Sequence, residues 1–202
     1  MYIQHEKSGR RLLLAGGLLV AGLALPATPQ SRTVYHAGIP PSVRCAEMVG
    51  SSEDASLPLL RTCQAAMHDQ AALRPVRAAS MVNTGIVLMR RGETGKALDL
   101  FDRALALNDD LDGVTVNIAA AQIRAGAPEA ALGTLADIET LAPEFQAAAF
   151  HNRALANWEL GHLEPAYLDL RAALSIDPGY EPAREAISHF RLVPDGQDMA
   201  SR

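Results

Sequence analysis

The chain has 202 residues, about 49% of them hydrophobic and only 4% aromatic, with a formal net charge of -5. That length suits one or two ordinary domains. An acidic chain without a basic stripe is a poor partner for nucleic acid, because phosphate attraction supplies most of that affinity.

Residues 1 to 11 are polar and carry Lys7, Arg10 and Arg11 against Glu6. Leu12 to Leu25 then form an uncharged apolar run, broken by Pro26, Ala27, Thr28 and Pro29. A positive start, an apolar core, a small residue and a breaker make a secretory signal peptide over 1-27, with cleavage expected after Ala24 or Ala27. The run falls short of the roughly 20 residues that span a bilayer; a retained N-terminal anchor is the alternative. No Cys follows the run closely, which argues against a lipoprotein. Arg10-Arg11 hints at a twin-arginine signal, but paired arginines are common in such regions. The expected destination is the periplasm or the exterior. Losing 1-27 removes a local positive charge and leaves a more acidic mature chain, repelled by anionic lipid surfaces.

Residues 28-41, rich in Pro, Ser and Thr, read as a flexible linker. Cys45 and Cys63 come next, the chain's two cysteines. An even count in an exported protein suggests a disulfide. Metal binding wants more Cys or His ligands at short spacing, and a thioredoxin-like redox pair wants C-x-x-C. Ser42 to Val49 and Leu57 to His68 are expected as two antiparallel helices around the loop Gly50 to Ser56. Leu59 to Met67 loosely echoes the later helix Leu98 to Ala106, so 42-74 reads as a decayed, bridged repeat that caps a helical array.

From Ala78 onward one pattern comes round three times. Asn83, Gly92, Ala97, Phe101, Ala104 and Asp109 are followed by Asn117, Gly126, Ala131, Leu135, Ile138 and Pro143. Asn152, Gly161, Ala166, Leu170, Ala173 and Pro178 form the third register. A period of about 34 residues marks a stacked array of helix pairs. The expected pairs are Pro75–Arg91 with Thr94–Leu107, Asp112–Ala125 with Pro128 to just before Pro143, and Glu144–Leu160 with a helix from Leu163 or Glu164 to Ile176. Gly92, Gly126 and Gly161 punctuate each pair. One extra residue between Pro143 and Asn152 is expected in a loop. A capping helix over 181-192 should lay Ala183, Ala186, Ile187 and Phe190 on the last repeat and turn Arg184 and Glu185 to solvent. Residues 193-202 read as a disordered tail.

The pattern resembles the tetratricopeptide repeat family, an α-solenoid of antiparallel helix pairs and thus an all-α fold. Counting from Ala78, Asp112 and Ala147, the family's small position 8 holds Gly85, Ala119 and Ala154. Small position 20 holds Ala97, Ala131 and Ala166, and large position 24 holds Phe101, Leu135 and Leu170. Position 27 holds Ala104, Ile138 and Ala173, where Ile138 is larger than usual. Position 32 holds Asp109, Pro143 and Pro178. The units are 78-111, 112-146 and 147-180.

The resemblance implies a concave groove lined by the first helix of each pair. Its groove positions hold Ala79, Val82, Asn83, Ile86, Met89 and Arg90 in the first unit. They hold Gly113, Val116, Asn117, Ala120, Ile123 and Arg124 in the second, and Ala148, His151, Asn152, Leu155, Trp158 and Glu159 in the third. Asn thus recurs at position 6. An amide offers a donor and an acceptor, so such a column could hold a peptide backbone; the competing reading is that it ties neighbouring helices together. The peptide-binding set is therefore Asn83, Ile86, Arg90, Asn117, Arg124, His151, Asn152, Leu155 and Trp158. The family's carboxylate clamp is not carried: its places hold Val82, Ile86, Asn117, Ala148 and Asn152, and only Asn117 matches.

No H-E-x-x-H, G-x-S-x-G, phosphate loop or dinucleotide turn occurs, so neither a catalytic residue, a metal ligand nor a cofactor is expected. The expected function is that of an exported adaptor binding a protein or peptide, with no small-molecule substrate evident. The alternative is a structural subunit of a cell-envelope complex that uses its convex face or N-terminal arm.

Overall fold

The computed structural model describes residues 2–5 and 39–193. The apolar run and the cleavage position of the expected signal, most of the expected linker and residues 194–202 lie outside the described residues. The fold is all-α apart from one short two-stranded ribbon. It divides into two units, one holding residues 39–125 and one holding 126–193 together with 2–5.

In the first unit, helices α1 (Pro41–Ser51) and α2 (Leu57–Met67) form an antiparallel pair, bridged by Cys45–Cys63. Both cysteines are fully buried. Ser56 caps α2 by accepting from the Leu59 N–H, which satisfies one of the orphan donors of a helix start. Helices α3 (Arg74–Arg90) and α4 (Thr94–Leu107) form the first repeat, and α5 (Asp112–Arg124) opens the second. Helix α3 is buried on every face from Ala78 to Met89, and it packs on α1, α2, α4 and α5. Its buried hydroxyls are satisfied within the helix: Ser80 donates to Val76 O at 2.8 Å and Thr84 to Ser80 O at 2.7 Å.

In the second unit, α6 (Pro128–Thr134) is followed by a single 3-10 turn, Ile138–Thr140. Helices α7 (Pro143–Glu159) and α8 (Leu163–Ile176) form the third repeat, and α9 (Glu181–Ile187) packs on α8. Strand β1 (Tyr2–His5) pairs antiparallel with β2 (Phe190–Val193), placing Tyr2 opposite Val193 and His5 opposite Phe190.

The helix stops follow from glycine. Gly92, Gly126 and Gly161 have φ of 80°, 73° and 77°, a region that strains any residue with a Cβ. At Gly92 and Gly161 the ending is a Schellman motif. Gly92 N–H bonds Met89 O and Glu93 N–H bonds Leu88 O; Gly161 N–H bonds Trp158 O and His162 N–H bonds Asn157 O.

Three expectations need correction. The second helix of the middle repeat does not run to Pro143: it stops at Thr134 and resumes only as the 3-10 turn. Leu135 and Ile138 stay fully buried on either side of the break. Gly133 weakens the helix, and Ile138, too large for close helix contact, finds its place through the irregular turn. The extra residue of the third repeat is not in a loop, since α7 is continuous from Pro143. Asn152 is its tenth residue, whereas Asn117 is the sixth of α5, so a longer helix start absorbs it. The capping helix ends at Ile187 instead of 192, and the chain turns into β2. Ala183 is buried and Arg184 and Glu185 are exposed, as expected for the helical part.

Candidate functional site

The recurrent asparagines stand on the first helix of each pair, and all three are buried. Asn83 on α3, Asn117 on α5 and Asn152 on α7 are each 2% exposed. Ile86 is fully buried beside them in sequence, so these side chains do not line an open surface. In the first unit, Asn83 Oδ1 and Asn117 Nδ2 have no hydrogen-bond partner among the described residues. One is an acceptor and the other a donor, on two helices that pack together. An unpaired buried amide atom costs about 1–3 kcal/mol.

Arg90 does not face a ligand. Its guanidinium donates to Ser52 O at 2.8 Å and Val49 O at 3.2 Å, and sits 3.2 Å from Glu53 Oε2. It caps the C-terminal carbonyls of α1. Burial lowers its pKa, with Glu53 and Asp54 opposing. Arg91 does similar work, donating to Ala55 O at 2.9 Å and pairing with Glu93 at 3.0 Å. Arg124 is exposed at the end of α5.

In the second unit, His151 is 3% exposed, its ring edge-on to Tyr180 at 5.6 Å. Burial pushes its pKa down to about 4, with a hydrogen bond to Asn152 acting the other way. Nδ1 has no partner among the described residues. The Tyr180 hydroxyl is raised above its ordinary range by burial, then by Asp177. Leu155 and Trp158 are half-buried. The Trp158 ring meets Phe190 of β2 edge-on at 4.8 Å, and Tyr167 of α8 lies 5.7 Å from the same Phe190.

One polar cluster escaped the repeat pattern. Arg153 makes a two-pronged ion pair with Asp169, Nη2 to Oδ1 at 2.7 Å and Nε to Oδ2 at 3.0 Å. Asn157 Nδ2 donates to Asp169 Oδ2 at 3.2 Å, and Arg153 Nη1 reaches Leu135 O at 3.4 Å, where α6 has just ended. The Arg153 guanidinium stands 5.1 Å from the Phe150 ring centre. Its hydrogen bonds to Asp169 raise its pKa. The available signal was Arg153 at a family position usually apolar, opposite a lone acid on the inner face of α8. The cluster joins helices; it has no feature of a reacting centre.

Among the described residues, no group of three or more His, Cys, Asp or Glu could hold a metal ion, and no helix is long and apolar enough to cross a membrane. No family profile matches the sequence, and no curated protein does. Solved structures do. The first tetratricopeptide domain of human RPAP3 superposes with a TM-score of 0.52 at 20% identity, over 56% of this chain and 89% of that one. MamA 41-end from Desulfovibrio magneticus RS-1 gives 0.52 at 21% identity, over 73% and 86%. The MamA RS-1 ArsTM double mutant gives 0.50 at 18%, over 73% and 87%.

Proposed function

We propose, for a chain that adopts the tetratricopeptide-repeat fold, an exported adaptor that binds an extended segment of a partner protein through its first-helix residues. The fold is generally a protein-interaction scaffold, and the spacing of its repeats carries that much. The observation behind the finer reading is the unpaired amide pair, Asn83 Oδ1 and Asn117 Nδ2. A partner main chain carries an N–H for the acceptor and a C=O for the donor. Both atoms are buried, so the partner must displace whatever shields them. Arg124 offers an exposed charge for an acidic partner residue. The leader-like N-terminus and the bridged cysteines support the export reading.

The test is affinity purification from cell-envelope extract. Asn83→Ala with Asn117→Ala should abolish recovery of the partner while leaving the helical circular-dichroism spectrum intact. Unchanged recovery sinks the amide reading.

A second reading, a structural subunit that docks through its outer helices, is favoured by Leu168 and Ile176 on α8. These are 54% and 40% exposed, two large apolar side chains that one helix leaves in solvent. Leu168→Asp with Ile176→Asp would then remove the partner that the asparagine variant keeps.

A further inference from the structure

Strand β2 has its sheet partner inside the leader. Tyr2–His5 pairs with Phe190–Val193 over four residues and also packs on α8. The export reading removes residues 1-27 on maturation, and β1 with them. The role of β2 inferred here rests on that reading.

Strand β2 has its own anchor. Phe190 meets Trp158 of α7 edge-on and Tyr167 of α8 at a tilt, contacts that owe nothing to β1. Helix α9, which leads into it, packs on α8 as well. The strand should therefore keep its place when the leader leaves, with a ladder edge of N–H and C=O groups open. Such an edge is a template for another extended segment. Recognition by strand addition draws affinity from main-chain bonds, with specificity from alternate side chains.

We infer that β2 is a strand-accepting edge, plugged by the leader in the precursor and taken in the mature protein by an extended segment of a partner protein. The plug defines the chemistry. Tyr2-Ile3-Gln4-His5 has no Pro, no Gly, no Asp or Glu and no Lys or Arg, and it contains two strong strand formers. The partner segment should be an extended stretch of the same kind, antiparallel to β2. The strand belongs to the unit that holds 126–193, whereas Asn83 and Asn117 belong to the unit that holds 39–125.

The test uses the exported protein purified with its own N-terminus, set beside the full-length chain. Intact mass first reads whether the leader is gone. The probe is the synthetic peptide Met1–Lys7, and the reporter is Trp158, the chain's single tryptophan. The leader-free protein should bind the peptide one to one with a saturable fluorescence change, and the full-length chain should bind at least tenfold more weakly. Proline has no N–H, and alternate residues of a strand aim theirs at one neighbour. Of Arg191→Pro and Leu192→Pro, at least one should then cost tenfold or more in peptide affinity without loss of helical signal. A leader retained on the exported protein overturns the proposal at its premise. A leader-free protein that ignores the peptide, or that tolerates both prolines, overturns the edge itself while leaving the adaptor reading standing. A leader-free protein that dimerises through β2 assigns the edge to a second copy and overturns the partner assignment.

Discussion

Gly85 has no side chain because Phe101 occupies the place of one. A Cβ built there would lie 2.5 Å from Phe101 Cε1, and Phe101 is a fully buried ring. Alanine is the better helix former by about 1 kcal/mol, yet here it must push a ring inside a packed core. Gly85→Ala should lower stability by ~1–3 kcal/mol in urea unfolding, and Phe101→Leu in the same chain should recover part of the loss. This position was legible in the sequence, because small-opposite-large is what the repeat spacing encodes. Exposure was not legible. Asn83, Asn117 and Asn152 recur as a groove column would, but burial depends on what covers them, and spacing is silent on that. His151 shows the same limit. Its folded pKa of about 4 lies below its ordinary 6.5, so both states are neutral above pH 6.5 and stability there is unaffected. As pH falls from 6.5 towards 4, the unfolded chain takes the proton first and stability drops, by ~3 kcal/mol at most. His151→Phe keeps the ring against Tyr180 and removes this share of the pH dependence. Unfolding at pH 7 and pH 4.5 measures it: the variant should lose less stability between the two than the native protein does.

At the scale of elements, α4 is read to the residue and α3, α5, α7 and α8 to within one residue at either end. Glycine stops and proline starts are local chemistry, so a single sequence carries them. The second helix of the middle repeat shows where local chemistry runs out. Pro128 starts it and Pro143 opens the next helix, but the break after Thr134 reflects a fit between Ile138 and its neighbours. That break releases Leu135 O to Arg153, whose pairing with Asp169 ties α7 to α8. The acid is nearly buried and the guanidinium is about a quarter exposed. Removing one member leaves the other charge poorly solvated. Asp169→Ala should cost ~2–3 kcal/mol, less than a fully buried pair because Arg153 keeps some water. The double variant Arg153→Met with Asp169→Leu should be closer to native than Asp169→Ala alone. Chemical denaturation of the three proteins side by side reads the coupling, and an additive double variant would mean that the pair does not act as one.

Across the whole molecule, the most distinctive departure from a bare repeat array is the bridged pair that precedes it. A linear array leaves its first repeat with one face uncovered, and such arrays need a cap at each end. Here α1 and α2 supply that cover for α3, and they are short, each of 11 residues. A helix of that length is marginal alone. Three restraints hold the pair: the Cys45–Cys63 bridge, Arg90 on the carbonyls of Val49 and Ser52, and Arg91 on Ala55 O. Two of the three come from the last turn of α3 and its cap residue, so the cap and the first repeat are one cooperative object. The bridge acts on the unfolded chain by closing a loop with a sequence separation of 18, which is worth about 3 kcal/mol in the loop-entropy model. Reduction should therefore speed hydrogen exchange first in α1 and α2, and then in the buried stretch Ala78–Met89 that they cover. Arg90→Met should do the same in the oxidised protein, though less strongly. Under reducing conditions the two changes should be less than additive, because a cap that has already come away leaves Arg90 nothing to hold. If reduction leaves exchange in α1 and α2 unchanged, the helices hold without the bridge, and its value would lie in export or assembly instead of in the stability of the folded cap.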